Sequence, residues 1–138
     1  MRHSSWVVSL FCASLLAGGT VAQANEPRSD YRKEVSVSTL LTTTRTSAGQ
    51  PIVYPSSGAP QVTALRVEIP PGQDTGWHLH TVPGVAYVLS GTLEVETEDG
   101  RKHRYGPGDA IVESVKLKHD GRNVGNEPVK LVVFFMGI

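Results

Sequence analysis

Gly72-Gln-Asp-Thr-Gly-Trp-His-Leu-His-Thr-Val-Pro-Gly-Val-Ala-Tyr-Val-Leu-Ser-Gly91 is the stretch on which the reading of this 138-residue chain turns. His78 and His80 stand two residues apart, and strand side chains alternate faces, so an extended backbone aims both imidazoles to one side. That is a metal-ligand spacing. The stretch opens on Pro70-Pro71-Gly72, a turn, and closes on Ser90-Gly91, after which Leu93, Val95 and Thr97 alternate with polar residues. It therefore lies within an antiparallel β meander. A lone histidine is ordinarily a surface or hydrogen-bonded group; the shared face of this pair is what points to a metal.

Upstream, Val62 to Ile69 alternates, with Leu65, Val67 and Ile69 on one face, and predicts a strand leading into the Pro-Pro-Gly turn. Glu34 to Thr44 is rich in β-branched residues and predicts one or two strands. Between them, Ser47 to Pro60 holds three prolines and two glycines and is a loop, with Ile52-Val53-Tyr54 as one short strand. Downstream, Val85 to Leu89, Thr92 to Thr97, Arg101 to Tyr105 and Asp109 to Glu113 are strand candidates. Arg122 to Pro128 is a turn-rich connection, and Val129 to Phe135 is apolar enough for a strand that is central or covered on both faces. No stretch after residue 24 shows ten residues of 3.6-residue periodicity. The expectation is an all-β sandwich or barrel.

The first 24 residues have the parts of a secretory signal: Arg2 and His3, an apolar run from Trp6 to Ala17, and the small-x-small site Ala22-Gln23-Ala24. The apolar run is short of the ~20 residues that span a bilayer, so export with cleavage after Ala24 is expected rather than anchoring. Residues 25–33 are a polar leader and 34–138 the folded domain. Cleavage leaves 114 residues, ample for one domain. It also removes Arg2 from 13 basic residues set against 13 acidic, leaving 12 and 13. So balanced and mixed a charge suggests no nucleic acid or other polyanion partner, and no membrane after cleavage. Cys12, the single cysteine, departs too. No thiolate or disulfide is then available, and any metal must be held by nitrogen and oxygen.

His119 lies in a later segment able to pack opposite the pair, although Lys116, Lys118, Asp120 and Arg122 around it look solvated. Three imidazoles facing one cavity suit one divalent ion of iron, manganese, zinc, copper or nickel, with positions left for water or substrate. His103, between Lys102 and Arg104, is set aside as exposed. Glu113 ends an apolar run and is either a strand-end group in water or a carboxylate turned inward. Turned inward, it is a candidate ligand, an orienting partner for an imidazole, or a catalytic base. Trp77 and Tyr87 are candidate walls of a substrate pocket, with core packing as the alternative, and Tyr105 a weaker one. Neither a nucleophile elbow nor a phosphate-cradling loop is present.

These residues resemble the small single-domain members of the cupin superfamily. The first family motif has a glycine, five residues, His-x-His, three or four residues, a glutamate, six residues and a glycine. Gly72, His78, His80 and Gly91 take those places, while Gly84 stands where the glutamate is expected. In the second motif Gly108, His119 and Asn123 match, and Glu113 to Lys116 replaces the usual proline-glycine segment. The resemblance covers about Val62 to Phe135. It implies a double-stranded β-helix, or jelly-roll, barrel with a metal at its open centre, and small cupins are commonly dimers. The family spans dioxygenases, isomerases, decarboxylases, sugar-binding domains and storage proteins, so fold does not choose a reaction. A three-histidine site resembles that of cupin oxygenases acting on thiols and diketones, and a divalent ion there keeps its full charge and favours a small anionic or chelating substrate. Alternatively Glu113 restores the fourth ligand from another strand. The expected function is a secreted or periplasmic metal-dependent enzyme, an oxygenase or a relative, acting on a small organic anion. The alternatives are a binding module without turnover and an interaction protein with vestigial histidines.

Overall fold

Seven strands carry the fold in this computed structural model, which describes residues 34–138: β1 (Gln61–Ile69), β2 (Gly84–Ser90), β3 (Leu93–Thr97), β4 (Lys102–Tyr105), β5 (Ala110–Val112), β6 (His119–Asn123) and β7 (Val129–Gly137). The expected signal peptide (1–24) and polar leader (25–33) lie outside the described residues. Among the described residues there is no helix. The unit that holds all seven strands is Ser38–Ile138.

The strands form two antiparallel sheets, one ordered β1-β7-β2-β5 and the other β4-β3-β6. Of the strands adjacent in sequence, only β3 and β4 pair, so the expected meander is not what forms. β2 ends at Ser90-Gly91 and the chain crosses to the other sheet. Gly91 makes that corner possible: its φ is +79°, and a Cβ there would come within 2.7 Å of Val129 Cα. Alternation announces a strand without naming its neighbour, which is why the crossing was not foreseen. Two sheets linked by such crossings make a jelly roll, the double-stranded β-helix that the resemblance implied.

The core lies between the sheets. Ala86 and Val88 from β2, Ile111 from β5, Leu131 and Val133 from β7, Leu93 from β3 and Ile69 from β1 form one cluster. Register explains the match: Ala86 pairs with both Ile111 and Val133, and Val88 pairs with Leu131, so these side chains share one face. Each fully buried aliphatic side chain contributes about 1.5–3 kcal/mol. As expected, β7 is central in its sheet, but only one face is covered, since Phe134 on the other is 44% exposed.

Three local expectations fail. Glu34 to Thr44 forms no strand; Val35, Val37, Leu40 and Leu41 are exposed, and extended backbone without a partner is not a strand. Ile52 to Tyr54 forms no strand either: Ile52 N donates to Thr44 O at 3.0 Å and Arg45 bridges Pro51, but the pairing goes no further. Arg122 and Asn123 belong to β6 rather than to a turn, because they pair with Glu94 and Leu93.

Candidate metal centre

The segment before β2 lies along β6 and carries two of the three histidines. Backbone bonds from Thr75 to Gly121 (3.0 Å) and from Asn123 to Gln73 (2.9 Å) hold it there. His78 and His119 exchange both backbone hydrogen bonds, at 3.0 and 2.9 Å. They are thus directly opposed residues whose side chains emerge on one face. His80, two residues on, shares that face and is fixed by Lys116 N donating to its carbonyl at 2.7 Å. The three rings stand 4.6 to 5.0 Å apart between centroids.

One ligating atom from each of the three imidazoles lies within 4.8 Å of the others. His78 Nδ1 is 2.7 Å from the Gly76 carbonyl and His119 Nδ1 is 2.9 Å from that of Leu117. A carbonyl oxygen only accepts, so each Nδ1 carries the proton and each Nε2 keeps its lone pair. This is how backbone orients imidazoles for a cation. His119 is buried, and burial pushes its pKa below the ordinary histidine range. The Leu117 carbonyl acts against that shift, while the neighbouring His78 and His80 add to it. A neutral ring is the form that ligates.

Glu113 turns inward. Its backbone N–H donates to Gly84 O at 2.8 Å, and its Oε2 reaches 2.8 Å from His80 Nε2. That oxygen is buried and takes part in no aligned hydrogen bond, so the short approach to His80 is a close contact without a directed bond. A small cavity of about 30 Å³ between the sheets is lined by His119, Glu113, Ser114, Leu93, Val95 and Ile111. A larger one, about 440 Å³, is walled by Tyr54, Pro51, Ser56, Thr81, Pro83 and Lys116. No imidazole lines the larger cavity; it adjoins the site through Thr81 and through Lys116, bonded to the His80 backbone.

The two proposed wall residues lie elsewhere. Trp77 is 54% exposed, alternating with the two histidines rather than facing with them. Tyr87 alternates with buried Ala86 and Val88 and pairs with Val132, which puts it on the outer face of its sheet. The aromatic wall at the site is Phe135, whose ring centroid is 4.6 Å from that of His80. Period 2 along β7 would have found it, since Phe135 falls in step with Leu131 and Val133. Tyr105 packs against the core and is half-buried, and burial raises its pKa. His103 is exposed, as expected.

Residues 65–135, just over half of the chain, match the family described as the cupin domain. Among solved structures, a protein from Bacillus halodurans is 23% identical with a TM-score of 0.52, over 56% of this chain and 63% of that one. An oxalate decarboxylase from Lactobacillus farciminis, in a formate complex, is 26% identical with a TM-score of 0.52, over 55% of this chain and 24% of that one. The DMSP lyase DddQ from Ruegeria pomeroyi is 26% identical with a TM-score of 0.50, over 55% of this chain and 38% of that one. The chain thus spans less than two thirds of the length of each. No curated protein matches it.

Proposed function

The chain belongs to the cupin family, and on that premise we propose that it holds one divalent metal ion on His78, His80 and His119 and uses it as an enzyme on a small organic anion. The observation that carries the proposal is the convergence of three imidazoles, two of them with Nδ1 bound to a backbone carbonyl and Nε2 left as donor. The residues fit a cation also by what they lack: Glu113 Oε2 is buried 2.8 Å from His80 Nε2 with no hydrogen-bond donor aligned to it. When bound, such an ion supplies a Lewis acid that polarises a ligated oxygen.

The chain's own residues do the rest. The backbone carbonyls of Gly76 and Leu117 hold two rings in the ligating tautomer. Phe135 packs against the His80 ring at a tilt, 4.6 Å between centroids. Lys116 is the only described non-glycine residue with positive φ, +55°. That conformation is uncommon outside glycine, and Lys116 lines the larger cavity, where its positive charge favours an anion. An oxalate decarboxylase among the similar structures, at 26% identity, supports a small carboxylate as the substrate class. Use of dioxygen is the narrower form of the same proposal. The N-terminal pattern supports export to the periplasm or beyond. Exposed Leu89 and Phe134 on the outer face of the four-stranded sheet support pairing of two copies there, which sedimentation would reveal.

The test is metal content by mass spectrometry of protein exported by its native host, beside the triple His78→Ala, His80→Ala, His119→Ala variant. About one ion per chain, lost in the variant, is the expected result. A metal-loaded sample is then offered oxalate and related carboxylates, thiols and diketones, with oxygen uptake and product formation followed. Metal in neither protein would overturn the proposal, and metal without turnover of any compound would favour a binding module.

A further inference from the structure

We infer that Glu113 is the carboxylate ligand of this centre, delivered from β5 to the place that a side chain at Gly84 of β2 would otherwise fill. The inference rests on the metal-binding reading above and adds a donor to it. It starts from register. β2 and β5 are antiparallel with Val85 opposite Val112, so the next pair along is Gly84 opposite Glu113, joined by the 2.8 Å bond from Glu113 N to Gly84 O. Directly opposed residues present side chains on the same face. A carboxylate planted at either position therefore enters the same interior space.

The space confirms the exchange. A Cβ built on Gly84 would lie 2.6 and 2.8 Å from two ring carbons of Phe135 and 3.2 Å from Glu113 Oε2. Phe135 and the Glu113 carboxylate together occupy the room in front of Gly84, and only a residue without a side chain leaves it to them. Gly84 does not have positive φ, so nothing in its backbone calls for glycine. The reason for glycine here is what stands in front of it.

The carboxylate itself asks for a cation. Oε2 is buried without an aligned donor, and an ionised oxygen so placed is costly unless paired or ligated. It stands 2.8 Å from His80 Nε2. Two ligands bound at about 2.1 Å and at right angles to one another lie about 3 Å apart, so one ion can accept both atoms at nearly their present separation. With Glu113 bound, the donor set is three nitrogens and one oxygen. The charge at a divalent centre falls from +2 to +1, which suits a substrate that brings one negative charge better than one that brings two. Glu113 acting only as a hydrogen-bond partner of His80 is the competing role.

The experiment titrates Co(II) into metal-free protein by calorimetry and by infrared difference spectroscopy, for the unaltered sequence and for Glu113→Gln, which keeps the shape of the side chain. Thermal melts of the metal-free proteins confirm that the variant folds. The expected result is a loss of affinity beyond the roughly 10–100-fold typical of an outer hydrogen-bond partner. Alongside it, carboxylate stretching bands shift on Co(II) addition to the unaltered protein, and those bands are missing in the variant. Equal affinity in the two proteins, or identical band shifts in both, would overturn the assignment while leaving the three-histidine centre standing. Failure of the unaltered protein to bind Co(II) would instead remove the metal reading and the assignment with it.

Discussion

Asn123→Ala should be among the most damaging single changes in the domain, and its cost can be worked out bond by bond. Asn123 is 1% exposed. Its Nδ2 donates to Ile69 O at 2.9 Å and to Glu127 O at 2.8 Å, and its Oδ1 accepts from Gly125 N at 2.9 Å. One amide thereby ties the end of β1, the end of β6 and the connection into β7. Alanine removes all three bonds, at a net of about 1 kcal/mol each, and strands partners that are hard to resolvate, so the loss should reach roughly 3–5 kcal/mol. At about 4–8 °C per kcal/mol for a domain of this size, the melting temperature should fall by at least ~12 °C. Asn123→Asp supplies the sign test. It keeps the acceptor for Gly125 but turns an oxygen toward two carbonyl oxygens, so it should melt lower still at neutral pH. Circular dichroism melts with matched urea titrations provide the assay. A fall of less than ~4 °C for alanine, or an aspartate variant as stable as the alanine one, would refute the reasoning.

Gly84→Ala drives a methyl group into the Phe135 ring and should cost about 1–3 kcal/mol, the usual range for overpacking; an unchanged melting temperature by calorimetry would show that Phe135 does not pack there. Gly91→Ala should cost more, because to the backbone contact at 2.7 Å it adds the left-handed conformation, itself worth roughly 1–2 kcal/mol; equal melting of the two variants would count against the rigid corner. Hydrogen bonds from Arg101, and then from Thr97, hold the Asp99 carboxyl well below the usual carboxylate range. A folded-state pKa below the unfolded one gives stability that is present above about pH 4 and lost as the pH falls through the folded value. Melts of the unaltered protein and Asp99→Asn should therefore differ most near neutrality and converge in acid, and a gap that stays constant down to pH 2 would exclude the linkage.

Periodicity carried the strands and the histidines, and it failed wherever the answer lay in pairing. Val62 to Ile69 and Thr92 to Thr97 alternate because each has one buried and one wet face, and that is enough to place a strand within a residue or two. Glu34 to Thr44 carries the same β-branched residues without a partner, which no local pattern can announce. His80 was legible from His78 by spacing alone. His119 is legible from the second motif, with Gly108 and Asn123, and not from its neighbours, since Lys116 and Lys118 are exposed while its own ring is buried; what places it is its exchange of backbone bonds with His78, 41 residues away in the chain. Glu113 can face water or the interior as far as local pattern goes, because its orientation is set by Gly84 across the sheet. Trp77 adjoins His78 and so points to the opposite face, Tyr87 alternates with buried Ala86 and Val88, and the ring that reaches His80 comes from β7.

The two sheets contribute unlike parts to the centre, and this gives the core a role in the chemistry. His119 comes from β6 of the three-stranded sheet and His78 from the segment bonded beside it, so their mutual placement is fixed by backbone bonds within one layer. Glu113 follows β5 and Phe135 lies within β7 of the four-stranded sheet, and the backbone ties them to the imidazoles only through the bridge between Val115 and His80, two residues beyond Glu113. Beyond that bridge, the packing of Ile111, Leu93 and their neighbours sets the distance between the layers. The same two side chains wall the small cavity between Glu113 and His119. Close-packed interiors respond to a single methylene, so the gap between carboxylate and imidazole is governed by the volume of these aliphatic residues. Trimming the core at Ile111 would then loosen the carboxylate while leaving the three histidines in register, and a loss of metal affinity from such a change would come through Glu113 and not through the rings.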